Sequence, residues 1–356
     1  PPPPPPPFFF NDTATTEIFS ILFVGCVRCV YETVKLDLIL SEIANPDEKI
    51  CNEIKDLEND FIALNLLGLT QVNQNKYDLH AFDTSNQSWW IITIGTYSSS
   101  PFTEFSELIG DTLFFAYDDQ VSGKELWAHK PSNGSTWQVA DISPGGAGSE
   151  APGDRLSHVV DDVLYFSASD GSYISIWAHN PSNGSTWRAS NEVQPSCQSS
   201  SSNECGSVVV DDVIYFQGIE NNTGSYDKEL WAYNTQNNSA WLAADINPYS
   251  YQTSTGSGEP GKHFMVRIGN EIYFDATGTY NQPASNDVWG YSTVNKSAWL
   301  AYDVLPYTSS NVNSALPGRE LAYAIGDKLY FDTSYSSNYD YQGLFVYDTS
   351  SQEGWK

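Results

Sequence analysis

The sequence is poor in positive charge. It carries 16 Lys and Arg against 44 Asp and Glu, which gives a net charge of −28 at pH 7. Nucleic acid and anionic membrane surfaces would repel such a chain, so the composition excludes a phosphate-binding role and predicts no nucleic-acid partner. An acidic surface of this kind suits an extracellular or salt-adapted protein and attracts cations.

The sequence is also poor in sulfur and in long apolar runs. It has five Cys and one Met. Cys197 and Cys205 bracket the loop "CQSSSSNEC", and we predict that they form a local disulfide in an oxidising compartment. The apolar run at 18–27 is too short to cross a bilayer, so no membrane insertion is expected. The sequence has no nucleophile elbow, phosphate loop or zinc-protease motif.

The amino-terminal part stands apart from the rest of the sequence. Residues 1–18, "PPPPPPPFFFNDTATTEI", resemble the translation of a homopolymer run followed by a sequencing adaptor, and we leave them out of the fold prediction. Residues 19–76 allow two interpretations, a remnant of a signal peptide or a degenerate first repeat.

An internal repeat dominates the remaining chain. "ELWAHKPSNGSTWQVAD" at 125–141 is followed by "SIWAHNPSNGSTWRASN" at 175–191. Each copy has two Trp ten residues apart, and later copies keep this spacing. A motif that recurs describes architecture rather than a catalytic centre. The positions that we predict to form the core of the repeat are Trp127, Trp137, Trp177, Trp187, Trp231, Trp241, Trp289 and Trp299.

A second repeated piece precedes each Trp pair. It has an apolar run, a two-residue turn of Gly, Asp or Asn, and an aromatic run, as in "HVVDDVLYFSA" at 158–168. Such turns favour φ > 0 and predict a tight β-hairpin. The Trp pair marks another hairpin, which turns at Asn133-Gly134 or its equivalents. Lys296 replaces the glycine in a later copy, so the register of this turn stays open.

Two hairpins give four antiparallel strands in each ~50-residue repeat, the size of a propeller blade. In "ELWAH" both faces of the strand carry apolar side chains, as stacked blades require. We therefore predict an all-β chain, a β-propeller of four-stranded antiparallel blades with about six repeats; tandem β-sandwiches are the alternative. The propeller region spans 77–356, with repeats at 77–94 (partial), 105–145, 155–195, 206–248, 264–306 and 321–356.

The repeat resembles the ELWxxDGT family of secreted bacterial and archaeal proteins. The resemblance lies in "GKELWAHKPSNGSTWQVADISPGGAGSEAP" at 123–152 and "LYFSASDG" at 164–171, and it extends over 77–355. The chain departs from the family pattern in the turn, where "PSNGST" stands in place of "DGT". The resemblance implies a β-propeller outside the cell or on its surface, and it implies no assigned activity.

Three acidic residues recur four positions after the second Trp. A short carboxylate at a strand end usually accepts backbone N–H bonds from the following loop, which is the first interpretation. Because the chain is acidic, we keep Ca²⁺ coordination as the second, and we expect no other cofactor. The three candidate ligands are Asp141, Asp245 and Asp303.

Sequons for N-glycosylation recur in the turn before the second Trp. Asn, Ser and Thr are favoured in such turns without any sugar, so turn chemistry is one interpretation and glycosylation in a secretory host is the other. The candidate acceptors are Asn86, Asn133, Asn183, Asn237 and Asn295, with Asn221 in a longer loop.

Strand direction divides each blade into a face of tight turns and a face of long, variable loops. The loops at 118–124, 219–228, 247–263, 277–286 and 334–343 belong to the second face, called the loop face below. Variable loops on a rigid scaffold are where binding usually evolves. We hypothesise an extracellular or cell-surface module for binding, adhesion or structure, with a glycan or protein as partner.

Two alternatives stay open. The first is a carbohydrate-active enzyme, a glycosidase or lyase, which would need carboxylates that converge on the loop face. The second is a purely structural exoprotein without a selective face. The sequence favours a protein that is not an enzyme. The carboxylates available for the first alternative are Asp170, Asp227, Asp275, Asp287 and Asp332.

Overall fold

The computed structural model describes most of the chain from residue 66 onward. The described residues are 66–73, 76–83, 88–92, 105–119, 121–144, 152–196, 206–221, 227–248, 257–278, 285–304, 316–333 and 343–356. The chain divides into two compact units, 1–106 with 130–136 and 107–129 with 137–356, which are described separately.

The described elements are β-strands in six antiparallel sheets, and no membrane-spanning helix occurs among these residues. The first sheet holds β1 (Leu66–Asn73), β2 (Lys76–Asp83) and β3 (Ser88–Ile92). The second holds β4 (Ser106–Ile109), β5 (Thr112–Asp118), β6 (Lys124–Lys130) and β7 (Ser135–Ala140). The third holds β8 (Ser157–Val160), β9 (Val163–Ser169), β10 (Ile174–Asn180) and β11 (Ser185–Ser190).

The other three sheets follow the same order along the chain. The fourth holds β12 (Val193–Pro195), β13 (Ser207–Val210), β14 (Val213–Glu220), β15 (Glu229–Asn234) and β16 (Ser239–Ala244). The fifth holds β17 (Met265–Ile268), β18 (Glu271–Gly278), β19 (Ser285–Ser292) and β20 (Ser297–Tyr302). The sixth holds β21 (Pro317–Ile325), β22 (Lys328–Thr333), β23 (Gly343–Asp348) and β24 (Glu353–Trp355).

In the fourth sheet β12 is an additional edge segment, and β13 to β16 are counted as the first to fourth strands. The hairpins between first and second strands have the predicted two-residue turns. In the third sheet Val160 pairs with Val163 across Asp161-Asp162, whose φ values are 50° and 59°. Left-handed backbone costs glycine little, and Asp and Asn tolerate it better than most other residues. The turn composition of the sequence therefore follows from the backbone conformation. The equivalent turns open at positive φ on Gly110, Asp211, Gly269 and Gly326.

The hairpins between third and fourth strands turn through four residues. Asn180 pairs with Ser185, and the Gly184 N–H donates to the carbonyl of Asn180 at 2.9 Å. Gly184 closes the turn at φ 72°, and Lys296 takes the same place in the fifth sheet at φ 56°. Because one left-handed residue closes the turn, a non-glycine residue is tolerated there at modest cost.

From the third sheet to the sixth, consecutive sheets pack face to face through apolar layers. In β14, Ile214 and Phe216 pack in the layer shared with the third sheet, while Tyr215 between them packs in the layer shared with the fifth. In β18, Phe274 faces the fourth sheet and Tyr273 the sixth. A sandwich leaves one face of each strand solvated, whereas these strands are covered on both faces. The all-β fold of stacked β-propeller blades is confirmed, and tandem sandwiches are excluded.

An aromatic contact recurs at four interfaces between sheets. One ring lies on the second strand of a sheet and its partner on the third strand of the next sheet, with interplanar angles of 50° to 55°. Such pairs add to the stability that burial provides. The centroid distances are 5.3 Å for Phe114–His179, 5.9 Å for Tyr165–Tyr233, 5.6 Å for Tyr215–Tyr291 and 5.8 Å for Tyr273–Tyr347.

The predicted core tryptophans differ in burial according to their strand. Trp231 and Trp289 lie on third strands and are 9% and 8% exposed. Trp137 lies on the edge strand β7 and is 37% exposed. An edge strand has a neighbour on one side alone, which leaves its large side chains partly open to solvent. The remaining members, Trp127, Trp177, Trp187, Trp241 and Trp299, are half-buried.

The first strands of neighbouring sheets lie side by side. His158 Nε2 on β8 is 2.8 Å from Ser207 Oγ on β13. Arg267 on β17 donates from Nη1 to the carbonyl of Val209 on β13 at 3.3 Å, and β17 also contacts β21. The first strands of the third to sixth sheets therefore lie in a row, and each enters this row from the loop face.

Some strand bounds differ from the predicted repeats. β12 falls within the predicted repeat 155–195 but pairs with β14 of the fourth sheet. β21 begins at Pro317, ahead of the predicted 321, and β1 begins at Leu66, ahead of the predicted 77. For β12 and β21, a linker adds backbone pairs to the edge of the following sheet. No turn signal in the sequence marks such an addition.

Candidate functional site

The loop face is described at its inner part. Many residues of the long loops lie outside the described residues, among them 222–226, 249–256, 279–284 and 334–342. What the structure describes are the segments that lead into the first and third strands. The predicted disulfide of Cys197 and Cys205 and the sequon of Asn86 also lie outside the described residues.

A buried acid at the start of a third strand holds the chain that leaves the fourth strand. Glu229 is 3% exposed and accepts the Ile246 N–H on Oε2 at 2.6 Å and the Gly258 N–H on Oε1 at 3.0 Å. Burial raises the pKa of Glu229 to about 8, and the charges of Asp227 and Asp245 add to the rise against the two N–H bonds. This carboxyl group therefore stabilises the backbone at both ends of the loop by accepting its N–H groups.

The same device recurs in two other sheets. Glu125 accepts the Ile142 N–H at 2.6 Å and the Ser143 N–H at 3.2 Å, and burial again raises its pKa. Asp287 accepts the Val304 N–H at 3.1 Å. In the third sheet Ser175 takes this position, and there the outgoing chain forms β12 instead.

A residue on the second strand holds the segment that leads into the first strand. Asp275 Oδ1 accepts the N–H groups of His263 at 2.9 Å and Phe264 at 3.1 Å. Asp332 does the same at the start of the sixth sheet, with the Glu320 N–H at 3.0 Å. Asp275 and Asp332 thus occupy equivalent capping positions.

In the fifth sheet this cap also orients an imidazole. His263 Nδ1 lies 2.6 Å from Asp275 Oδ2, and Asn286 Nδ2 donates to the same oxygen at 3.2 Å. Asp275 has no exposed surface, and the His263 side chain is 11% exposed. We infer that the imidazole proton sits on Nδ1, because a carboxylate partner selects that tautomer. Nε2 has no hydrogen-bond partner among the described residues.

Charged residues also form ion pairs in the segment that leads to His263. Glu259 accepts Lys262 Nζ at 2.7 Å and Lys228 Nζ at 3.4 Å. Burial alone would raise the pKa of Glu259, but the two ammonium groups lower it. Glu259 has φ 44°, a conformation that a non-glycine residue keeps where its surroundings impose it. The segment 257–264 is therefore a fixed structure rather than a loose connection.

One position near the start of the first strand differs in chemistry between the third, fifth and sixth sheets. Arg155, His263 and Glu320 occupy equivalent positions, and each gives its backbone N–H to a second-strand cap. The backbone is therefore alike at the three positions, while the side chains are a guanidinium, an imidazole and a carboxylate. These three residues define the inner rim of the loop face, which is the candidate functional site.

The three candidate Ca²⁺ ligands lie at the ends of fourth strands in separate sheets. Asp141 and Asp245 are exposed, and Asp303 is half-buried. The N–H group that follows Asp245 is capped by Glu229. Among the residues with described side chains, no three His, Cys, Asp or Glu residues are arranged to hold a metal ion. Ca²⁺ binding at these residues stays a prediction.

The carboxylates considered for enzyme chemistry have other partners. Asp275, Asp287 and Asp332 cap backbone N–H groups, as described above. Asp170 forms an ion pair with Arg188. The structure thus ties four of these five candidates into scaffold contacts.

Three of the sequon turns share one geometry. Asn133 Oδ1 accepts the Ser135 N–H at 2.9 Å and the Ser135 Oγ–H at 2.6 Å, and Asn183 and Asn237 repeat this turn. In these exposed turns the amide oxygen is engaged. In the longer loop the amide nitrogen is engaged instead, because Asn221 Nδ2 donates to the carbonyl of Asn191 at 2.7 Å.

His263 was predicted to lie in a long loop, and nothing in the sequence singled it out as a functional residue. It ends the connection 247–263, and Asp275 was one of the candidate carboxylates. The available signal was a departure from the repeat, since Arg155 and Glu320 stand at the equivalent positions. That signal does not reveal which side chain meets His263.

Comparisons with known proteins give fold-level likenesses. No family model and no curated protein matches the chain. Among solved structures, TolB from Acinetobacter baumannii is 11% identical with a TM-score of 0.39, over 81% of this chain and 62% of TolB. A puromycin-hydrolyzing peptidase of Mycobacterium tuberculosis is 13% identical with a TM-score of 0.47, over 76% of this chain and 41% of the peptidase.

A third similar structure is an oligogalacturonate lyase in complex with manganese. It is 10% identical with a TM-score of 0.46, over 82% of this chain and 72% of the lyase. At such identities and TM-scores none of the three assigns a function or a ligand to this chain.

Proposed function

We propose that this chain is an extracellular or cell-surface β-propeller that binds a glycan or protein ligand at the inner rim of its loop face. The net charge of −28, the resemblance to secreted repeat proteins and the sequons support a place outside the cell. The stacked blades supply a rigid frame on which rim side chains keep fixed positions.

One observation carries the proposal. Most contacts recur from sheet to sheet, but the side chains at the rim position differ in each sheet. Caps, turns and aromatic pairs recur from sheet to sheet, whereas Arg155, His263 and Glu320 share a backbone setting and differ in side chain. Packing of the blades requires no such difference. A recognition surface does, because a ligand presents different groups to each blade.

His263 is the side chain on this rim that is most clearly preorganised for contact with a ligand. Asp275 holds Nδ1 and thereby fixes the ring plane and leaves Nε2 as an acceptor. Such an acceptor suits a hydroxyl or amide donor on a ligand, and glycans and peptides both carry these. Because the ring is already ordered, its contact with a ligand costs little further side-chain entropy.

A carbohydrate-active enzyme is the second candidate function. The same pair, an imidazole held by a buried carboxylate, is the arrangement of a general base. The capping roles of Asp275, Asp287 and Asp332 weigh against a pair of catalytic carboxyl groups. A purely structural exoprotein is the rival to both functions, and it requires no ligand.

The test is a binding screen on glycan and surface-protein arrays with wild type, His263→Ala and Arg267→Ala. Arg267 is the matched control, since it lies on the adjoining β17 towards the tight-turn end and is exposed. We expect a ligand that the control keeps and that His263→Ala binds about tenfold more weakly or worse. Circular dichroism checks that both variants fold.

Three results would decide against the binding proposal. Absence of any ligand on both arrays favours the structural exoprotein. Equal binding by His263→Ala and wild type moves the site away from the inner rim. Turnover of a bound polysaccharide, lost in His263→Ala, would establish the enzyme instead.

A further inference from the structure

Three hairpins at the outer edges of the sheets repeat one surface pattern. In the third, fourth and fifth sheets the turn before the fourth strand reads "NGSTW", "NNSAW" and "NKSAW", starting at Asn183, Asn237 and Asn295. All three asparagines are exposed. The residue after the asparagine changes from copy to copy. What the copies keep is the asparagine, a serine two residues later and a tryptophan four residues later.

The backbone of the turn does not require this asparagine or this serine. In the sixth sheet the equivalent residues are Ser351 and Glu353, with Gln352 between them. The turn still closes in the same way, because the Gln352 N–H donates to the carbonyl of Asp348 at 2.8 Å and Gln352 has φ 59°. The other three sheets therefore keep, at an exposed place, two residues that the turn can form without.

The asparagine amide lies on the side of the strand that carries the tryptophan. The Ser185 Oγ–H donates to Asn183 Oδ1 at 2.6 Å, and the Ser239 Oγ–H donates to Asn237 Oδ1 at the same distance. Ser185 and Trp187 are two residues apart on β11, so their side chains point to the same face. A sugar attached to the amide nitrogen of Asn183 would therefore begin on the face that carries Trp187.

The tryptophans of the pattern are half-buried at the margins of the layers between sheets. Trp187, Trp241 and Trp299 each pack in the layer that their sheet shares with the next one, and each keeps an exposed part. Lys296 Nζ lies 5.7 Å from the centroid of the Trp241 ring, so a side chain from one of these turns reaches such a ring. The ring faces offer an apolar surface on which the C–H groups of a sugar can pack.

The strand that follows each asparagine is an edge strand. β11, β16 and β20 each end their sheet, so one side of each strand has no partner strand in the described sheets. Such an edge can pair with the edge of another molecule unless something hinders the approach. A glycan at the start of the strand is bulky and hydrated and hinders it. The pattern thus recurs where a glycan has a physical effect.

We propose that Asn183, Asn237 and Asn295 carry N-linked glycans whose first sugar packs on the tryptophan four residues later. The donor is a lipid-linked oligosaccharide diphosphate. The amide nitrogen bonds to C1 of the first sugar and loses a proton, the bond from C1 to the diphosphate breaks, and the lipid diphosphate leaves. These glycans lie at the tight-turn ends of the sheets, away from the loop face, so the inference does not depend on the ligand proposed above.

The test uses the full chain produced in a glycosylating secretory host. Peptide mass spectrometry measures glycan occupancy and the rates at which hydroxyl radicals oxidise Trp187 and Trp355. Trp355 is the matched control, since it holds the same place in its hairpin without the asparagine. We expect glycans on all three asparagines. Compared with the chain after enzymatic removal of its glycans, we expect Trp187 to oxidise at about half the rate or less, because a sugar covers one face of the ring. Trp355 should oxidise equally in both.

Two variants separate the sugar from the serine hydroxyl. Ser185→Ala removes the acceptor at Asn183 alone, so Trp187 should oxidise faster while Trp241 stays shielded. Ser185→Thr keeps the acceptor and should behave as wild type, whereas enzymatic removal of the glycans should expose both rings with Ser185 unchanged. Absence of glycans from all three turns overturns the proposal. Glycans whose removal leaves the oxidation of Trp187 and Trp241 unchanged overturn it as well.

Discussion

At the scale of single residues, buried acidic side chains in this chain accept hydrogen bonds from backbone N–H groups. Glu125, Glu229 and Asp287 accept N–H groups from loops that have no strand partner of their own. A buried N–H without an acceptor costs roughly 1–3 kcal/mol, so each such carboxyl group stabilises the loop it caps. Asp287, one of the carboxylates considered for catalysis, thus has a structural role, and its equivalence to Glu125 and Glu229 in the repeat identifies that role.

Glu229 is expected to keep its proton in the folded chain. Its pKa is raised from 4.5 to about 8 by burial, so between these values the folded state binds a proton that the unfolded state releases. The stability from this group is complete below pH 4.5 and is lost as the pH rises towards 8. Urea unfolding should therefore show that wild type loses free energy of unfolding from about pH 5 to pH 8 relative to Glu229→Gln.

The glutamine variant also lowers stability at every pH. Its amide NH₂ would face one of the two backbone N–H donors, which costs about 1–3 kcal/mol. Glu353→Gln, at an exposed position, is the control and should change neither quantity. If Glu229→Gln and wild type keep a constant difference across this pH range, Glu229 is ionised in the folded protein.

His179 should make the protein sensitive to acid. It is buried against Phe114, and burial lowers its pKa from 6.5. Below pH 6.5 the unfolded chain gains a proton that the folded side chain resists, so stability present above this pH is lost as the pH falls. His179→Phe keeps the aromatic body, and from about pH 7.5 to pH 5 it should lose less free energy of unfolding than wild type. Equal losses would show that His179 accepts the proton within the fold.

At the scale of elements, turns explain what could be predicted and what could not. The tight hairpins followed from Gly, Asp and Asn pairs between apolar runs, because a positive φ selects those residues locally. The pairing of β12 with β14 could not be predicted, because Val193 follows the third sheet in sequence but pairs with Glu220 in the fourth. Local composition determines turns, whereas the sheet that a linker joins depends on contacts distant in sequence.

The sequon turns should differ in glycan occupancy when the chain is produced in a glycosylating secretory host. Asn133, Asn183 and Asn237 use the amide oxygen within exposed turns and leave the nitrogen available. Asn221 donates its amide nitrogen to Asn191. Peptide mass spectrometry should find glycans on the three turn residues and little on Asn221. Ser135→Ala removes one sequon and provides the control, while full occupancy of Asn221 would contradict the prediction.

At the scale of the whole chain, repetition separates the frame from the site. The stacked blades were predictable, because the role of each position can be inferred by comparing the residues at that position in five copies of the repeat. The inner rim was not, because His263 has no equivalent of its own kind and its meaning depends on contact with Asp275. A singular residue in a repeat protein is therefore the hardest to interpret from sequence and the most informative once its partner is known.

The aromatic pairs between sheets should couple neighbouring blades energetically. Tyr215 and Tyr291 lie on different sheets with ring centroids 5.6 Å apart. In a double-mutant cycle of Tyr215→Leu and Tyr291→Leu, the free energies of unfolding should show a coupling of about 0.5–1.5 kcal/mol. Tyr165→Leu with Tyr291→Leu is the control, because these rings belong to different interfaces and their effects should add. Equal coupling in both cycles would mean that the blades unfold as one body without specific pairing, and the recurring rings would then supply buried area alone.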